Sequence, residues 1–156
     1  MVDNIISLAI GAVLGWLATN WIGKPISDAR DKRIKALQAV EQNSFVGGAA
    51  RDERIREARA ALNEAASSLR SISRGHGWPV RLYCRFARYD QEAAANCLIT
   101  LHNMTGQYGY DDKERQLQVD AIYVFLRAHK QHLSRERVDE IKSQVEREKR
   151  LSEAKF

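Results

Sequence analysis

Apolar positions recur along this chain in three rhythms. From Ile5 to Ile22 they form a run without a single charged side chain. From about residue 28 they return every three or four residues, the spacing of one helix face. Beyond Ser134 they thin to Val138, Ile141 and Val145 among many charges. The first rhythm predicts a membrane-spanning helix: 18 residues at 1.5 Å each reach about 27 Å, close to the roughly 30 Å hydrocarbon core. A cleaved secretory signal competes with this reading. The uncleaved anchor is preferred, because Met-Val-Asp-Asn carries no basic residue and no Ala-x-Ala site follows. Within the run, Ser7, Gly11, Gly15, Thr19 and Gly23 recur every fourth residue. Such a row lies along one side of a helix, so two backbones can approach closely and the hydroxyls can bond across the contact.

The second rhythm predicts a helical body. Lys24-Pro25-Ile26-Ser27-Asp28 reads as a junction, with Ser27 or Asp28 capping a new helix from about Asp28 to Asn43 on an Ile34, Leu37, Val40 stripe. Phe45-Val46-Gly47-Gly48 ends it. Ile55, Ala58, Leu62, Ala65, Leu69 and Ile72, spaced 3-4-3-4-3, form the seam of a helix over 50–73. An antiparallel hairpin with the preceding helix is favoured over an intermolecular coiled coil, since the seam is only about two and a half heptads long. Asp90 is placed to cap a helix from Gln91 to Thr105, with Ala94, Cys97, Leu98, Leu101 and Met104 inward. Asp111 or Asp112 opens a further helix to about His129 that buries Leu117, Ala121, Ile122, Phe125 and Leu126. A charged terminal helix from Ser134 to about Ala154 completes the series. The predicted fold is all-α: an anchor over 1–23, a helical cytoplasmic domain over 24–133 and the charged helix over 134–156.

Pro79 to Tyr89 carries two readings. As a helix it places Arg81, Arg85 and Arg88 in a narrow sector beside Leu82, Phe86 and Tyr89, as an interfacial helix requires. A short core-packed helix whose arginines pair with carboxylates elsewhere explains the same residues and is slightly preferred.

Charge sharpens the orientation. All 25 Lys and Arg and 19 of the 20 acids follow Gly23, so the body carries +6 of charge and the chain as a whole +5. Basic flanks stay on the cytoplasmic side, and Lys24, Arg30 and Arg33 lie just after the run. The body is therefore expected inside, with Lys24, Arg30, Arg33, Arg81, Arg85 and Arg88 as candidate contacts to anionic lipid. Nucleic acid is the disfavoured anion, because no nucleic-acid-binding motif accompanies the arginines.

The segment Tyr83 to Gly106, above all Tyr-Asp-Gln-Glu-Ala-Ala-Ala-Asn-Cys-Leu-Ile-Thr-Leu-His-Asn, resembles a loosely defined set of uncharacterised bacterial single-span membrane proteins. In these an anchor ending in Lys-Pro precedes a small helical cytoplasmic region. The resemblance implies the bacterial inner membrane as location and brings no activity with it.

Candidate chemistry is sparse. His129 and His132 with Glu136 lack a third convincing metal ligand, and His76 stands alone. Cys84 with His102 is an imaginable nucleophile and base, but an apolar setting makes a thiol inert. Cys84 and Cys97 read as buried reduced thiols. Asp111, Asp112 and Glu114 suit a helix start. No phosphate-binding loop, GxSxG, HExxH or dinucleotide fingerprint occurs, so neither a cofactor nor an enzyme is expected. The expected function is that of an assembly, scaffold or regulatory protein. It would associate through the small-residue stripe, with a second copy or another membrane protein, and dock a partner through Ile55, Leu62, Leu69, Val138, Ile141 and Val145. A pore or membrane-disrupting effector built on the same stripe is the alternative.

Overall fold

A computed structural model describes residues 11–75, 77–107, 112–128 and 133–153. Ser7, His76, Asp111, His129, His132 and Ala154 lie outside the described residues. The described chain is helical, with no strand among its described residues: α1 Lys24–Asn43, α2 Asp52–Gly75, α3 Trp78–Ala87, α4 Gln91–Met104, α5 Asp112–Phe125 and α6 Arg135–Glu153. The expected all-α fold is thus observed.

The first helix does not begin where the sequence places a junction. Residues 11–18 are already helical, and they run through a π turn at Thr19–Gly23 into α1 without a break. Ala18, Gly23 and Lys24 all keep right-handed helical dihedrals, and the Lys24 N–H donates to the Thr19 carbonyl five residues back. Pro25 explains the device. Proline has no N–H to donate, and its ring presses on the carbonyl four residues earlier. A π turn immediately before it widens the ladder and lets the helix continue. Ser27 and Asp28 therefore cap nothing; they lie inside a helix that extends about 50 Å from residue 11 to residue 43.

α1 and α2 form the expected hairpin, joined by the loop over 44–51. α2 lies between α1 and α4, α5 packs on α4 and reaches α1, and α6 packs on α5. The seam of α2 is consumed by this packing. Ala58, Leu62, Leu69 and Ile72 are fully buried and Ala65 nearly so, and Ala66 widens the buried face. Small residues here admit two neighbouring helices at once, while each buried Leu or Ile contributes about 1.5–3 kcal/mol of transfer energy. α4 buries the predicted Ala94, Cys97, Leu98, Leu101 and Met104, and Ala95 as well. Its Asp90 cap forms as expected, with the Asp90 carboxylate accepting from the Ala93 N–H at 2.9 Å.

α5 is buried over more of its circumference than the sequence indicates. Besides Ala121, Ile122 and Leu126, it buries Val119, Val124, Gln118, Asp120 and Arg115, because α4 covers one side and α6 another. The first half of α6 is part of this core, through Val138 and Ile141, with Val145 half-buried against it. Asp120 ties the two helices together: it accepts from Gln116 at 2.7 Å and faces Arg137 at 3.8 Å.

Two helices end earlier than expected, and for the same reason. α5 stops at Phe125, not near His129, and α3 stops at Ala87, because Arg127 and Arg88 take left-handed backbone (φ 53° and 54°). The N–H groups of Ala128 and Tyr89 fold back to the carbonyls of Tyr123 and Cys84 at 2.8 and 2.9 Å. This is the closing turn that glycine usually supplies. The turn after Arg88 swings Tyr89 inward, away from the outward stripe the sequence assigns to it.

The hairpin loop is fixed by Gly106, whose N–H donates to the Val46 carbonyl at 3.2 Å and whose φ is +73°. A methyl group there would collide with the Ile55 side chain. Gly106→Ala combines left-handed strain of about 1–2 kcal/mol with overpacking of about 1–3 kcal/mol. We expect the variant to lose about 2–5 kcal/mol of unfolding free energy in urea titration.

Candidate membrane-facing surface

Arginines occupy two contrasting roles in this fold. Helices leave their last carbonyls without partners. Five guanidinium groups supply those partners from neighbouring elements. Arg54 donates to the Gln42 carbonyl at the end of α1 (2.8 Å) and Arg59 to Thr105 at the end of α4 (2.9 Å). Arg115 reaches Met104 and Gln107 (3.1 and 3.2 Å), Arg33 reaches Leu126 (2.7 Å), and Arg127 reaches Arg88 (3.3 Å). The positive group also complements the negative end of each helix dipole.

Arg33 is the most connected of these. It lies 4.8 Å from the centroid of the Tyr89 ring, and Tyr89 meets Tyr83 edge-on at 5.9 Å. The Asp90 N–H donates to the Phe125 carbonyl at 3.1 Å in the same neighbourhood. The ends of α3 and α5, the start of α4 and the flank of α1 thus converge on one side chain. Arg33 is therefore a structural pin, which corrects its assignment as a lipid contact.

Lys24, Arg30, Arg81, Arg85 and Arg88 remain exposed. The three of these around α3 stand beside an apolar surface. At 100° per residue Trp78, Leu82 and Phe86 fall within about 80° of one another, on the side of α3 opposite the buried Val80 and Cys84. All three are exposed, Trp78 by 68% and Phe86 by 80%. Arg81 and Arg85 border the stripe on one flank. α3 is therefore apolar on two faces, one packed inward and one open.

The open face continues onto the lead-in helix. Val13, Leu14, Trp16, Trp21 and Ile22 are all exposed there. Leu14, Leu17, Ala18, Trp21 and Ile22 form one wall of an apolar groove of about 640 Å³, and Gly77, Trp78 and Pro79 form the other. Contiguous apolar surface of this kind marks a contact with another apolar phase or protein. Among the described residues no helix is long and apolar enough to cross a membrane. The apolar run begins at Ile5, and its first residues lie outside the described part.

The small-residue row is open where it is described. A methyl group added at Gly11 or Gly15 would meet nothing within 4 Å. Thr19 donates to the Gly15 carbonyl and Asn20 to the Trp16 carbonyl, each at 2.9 Å, so both polar groups are satisfied within their own helix.

The candidate docking residues are mostly absorbed by the core. Leu62, Leu69 and Ile141 have no exposed surface, and Val138 retains 7%. These are core residues and not docking positions, because α4 and α5 reach them first. Ile55 and Val145 are half-buried, Ile55 against Gly106.

The chemical candidates separate. The Cys84 thiol accepts from the Gln91 amide at 2.9 Å, whereas His102 Nδ1 lies 2.9 Å from the Arg59 carbonyl, an acceptor that requires the proton on that nitrogen. The nucleophile and base pairing is not formed. Cys84 and Cys97 are free thiols, both buried. Among the described residues no cluster of three His, Cys, Asp or Glu could hold a metal. The acids Asp112 and Glu114 lie in the first turn of α5, where the dipole favours them.

Compared with family models, curated proteins and solved structures, the chain matches none.

Two measurements test the internal roles. Arg33→Ala should lower unfolding free energy by about 1.5–3 kcal/mol, with Arg33→Lys restoring less than half because an ammonium lacks the planar fork and the stacking face. Arg30→Ala, at an exposed position, should stay within about 0.5 kcal/mol of the parent. The pH dependence is equally specific. Burial, opposed in part by the Gln91 bond, raises the Cys84 thiol above its usual range. Burial first, and then Tyr89, raises Tyr83, while burial and the Glu41 carboxylate raise Tyr123. Each group holds its proton more tightly folded than unfolded, so its contribution is complete below the unfolded pKa and is lost as pH rises. The thermal midpoint should therefore fall as pH rises from about 8.5 through about 10 and beyond. Tyr123→Phe, which removes one titration, should shallow that fall.

Proposed function

We propose that the chain is a single-span protein of the bacterial inner membrane that serves as an assembly, scaffold or regulatory factor. Its N-terminal apolar helix is the anchor and its helical bundle the cytoplasmic, partner-binding part. The observation that carries this reading is the unbroken helix from residue 11 to residue 43. One end holds exposed Val13, Leu14, Trp16, Trp21 and Ile22, and the other buries Ala29, Ala36 and Val40 in the bundle core. An apolar helix that leaves its own domain needs a second apolar environment. The charge-free run from Ile5 to Ile22 has the length to use a bilayer for it. Lys24 and Arg30, both exposed, then lie on the cytoplasmic side.

The mechanism is tethering. Confinement to the membrane raises the effective concentration of the bundle toward partners in or on the same membrane. Gly11 and Gly15, open to van der Waals approach, supply the packing face toward a second copy or another membrane protein. With Leu62 and Leu69 in the core, the soluble partner is left the charged outer face of α6 and the exposed rims of α1 and α2. The pore alternative gains no support, since Thr19 and Asn20, the polar groups described in the span, bond to their own backbone.

The test is extraction of the full chain from bacterial membranes. Alkaline carbonate should leave it in the pellet and mild detergent should release it. Leu14→Arg with Leu17→Arg should move it to the carbonate-soluble fraction, because each arginine at mid-span costs about 2.5–3.5 kcal/mol. Release of the parent chain by carbonate would remove the anchor.

A further inference from the structure

We propose that α3 is a second membrane contact, an in-plane helix that rests its Trp78, Leu82 and Phe86 face in the headgroup and acyl boundary of an anionic leaflet. The proposal rests on the anchor reading and adds to it a fixed orientation of the bundle.

Three observations lead there. The first is the outward stripe itself: three large side chains within about 80° of α3, exposed while the opposite face packs into the core. A helix of ten residues is about 15 Å long, so these side chains form one compact patch and not scattered exposure. The second is depth. Trp78 and Pro79 share a groove with Trp21 and Ile22. If the span ends near Ile22, Trp21 sits at the bilayer surface, where tryptophan is enriched, and Trp78 across the groove lies within the depth covered by Leu14 to Ile22. The third is charge. Residues 65–89 contain five arginines and no carboxylate, and the acids that follow, Asp90 and Glu92, line a pocket with Arg81 and Arg85. Arg81 and Arg85 are exposed beside the stripe, with Arg88 exposed just past the end of α3, so guanidinium groups lie at phosphate level when the rings insert.

Charge also decides the occupant. A protein partner for an apolar stripe would meet the exposed Arg81 and Arg85 along its flank and would need matching acids. An anionic leaflet provides a continuous sheet of phosphates, and each basic residue near it is worth about fivefold in binding. The occupant is therefore lipid, shared between phosphatidylglycerol-type headgroups and the upper acyl chains.

The consequence is mechanical. The span alone would leave the bundle free to tilt together with its helix. A second contact offset from the helix axis limits that tilt and holds the bundle against the surface.

The experiment uses the full chain in vesicles of phosphatidylcholine with about one third phosphatidylglycerol, an anionic fraction typical of attracting basic segments. Two single-tryptophan versions are compared: Trp16→Phe with Trp21→Phe, which leaves Trp78, and Trp16→Phe with Trp78→Phe, which leaves Trp21. Trp78 should be quenched by shallow-brominated lipid more than by deep-brominated lipid, and more in anionic vesicles than in pure phosphatidylcholine. Arg81→Gln with Arg85→Gln should shift the docked-to-undocked ratio by about fivefold per arginine, read as Trp78 quenching falling toward the zwitterionic value. Phe86→Ser, at a side chain 80% exposed, should reduce quenching while leaving the helical melt unchanged. If Trp21 is quenched by brominated lipid while Trp78 is quenched only by aqueous acrylamide, the anchor stands and the proposal fails. If Trp78 is shielded from acrylamide and unreached by bromine, protein covers α3 and the proposal again fails. Quenching of neither tryptophan by lipid overturns both readings.

Discussion

A helix leaves its last carbonyl groups without partners of its own, and this bundle answers that constraint with arginine. The ends of α1, α3, α4 and α5 each receive a guanidinium group from a neighbouring element. The choice of arginine is physical. Its planar fork donates along fixed directions and stays charged when half-buried, so it serves a carbonyl at a negative helix end better than a flexible ammonium does. The caps run between helices, so they also set how the helices lie on one another. Arg59 donates to Thr105 while its own carbonyl accepts from His102, a reciprocal clamp of α2 on α4. Arg33 does the same for α1 against the junction of α3, α4 and α5.

This use of arginine changes what the basic composition means. A net charge of +5 reads most simply as an attraction to an anionic neighbour. Five of the 25 basic side chains answer backbone carbonyls of the bundle instead. The cost shows at Arg115, which is 5% exposed and has one nitrogen without a partner, although its other donors reach two carbonyls. With those arginines set aside, Arg81, Arg85 and Arg88 around α3 stand among the exposed basic residues of the surface.

Buried faces made of apolar residues are readable from the sequence, and buried faces that enclose polar residues are not. The seam of α2 and the inward face of α4 follow from three-four spacing alone, and the Asp90 cap follows from its position before an apolar run. α5 escapes such reading because α4 and α6 bury different sides of it, so Gln118 and Asp120 are enclosed although their polarity marks them as exposed. Helix ends at Arg88 and Arg127 were hidden for a related reason. Glycine announces a left-handed turn by lacking a side chain, whereas an arginine there is chosen by its long-range partners, and in Arg127 the same residue turns the chain and caps α3. Pro25 misled in the opposite direction. It marks a break in most contexts, and only the π turn before it keeps the helix whole. The docking positions on α2 failed because spacing identifies a face that seeks a partner and does not say whether the partner lies within the chain.

The continuity across Pro25 matters more to function than any single contact. A proline junction would act as a swivel between the apolar lead-in segment and the bundle. A continuous helix transmits direction, since bending it costs hydrogen bonds along its length. α1 is held to α2 along one face by Ala36 and Val40 and to the α3, α4, α5 junction by Arg33. The axis of the apolar lead-in segment therefore determines where α3 lies, and with it the level of the Trp78, Leu82 and Phe86 stripe relative to Trp21. In this arrangement the π turn is the one point along the helix where a small change in pitch would rotate the apolar segment against the bundle. Its five residues, Thr19 to Gly23, end in a glycine whose added methyl would come no closer than 3.9 Å to the Ala18 carbonyl. The glycine there answers neither a clash nor a positive φ, and its lack of a side chain adds to the open face that Gly11 and Gly15 begin.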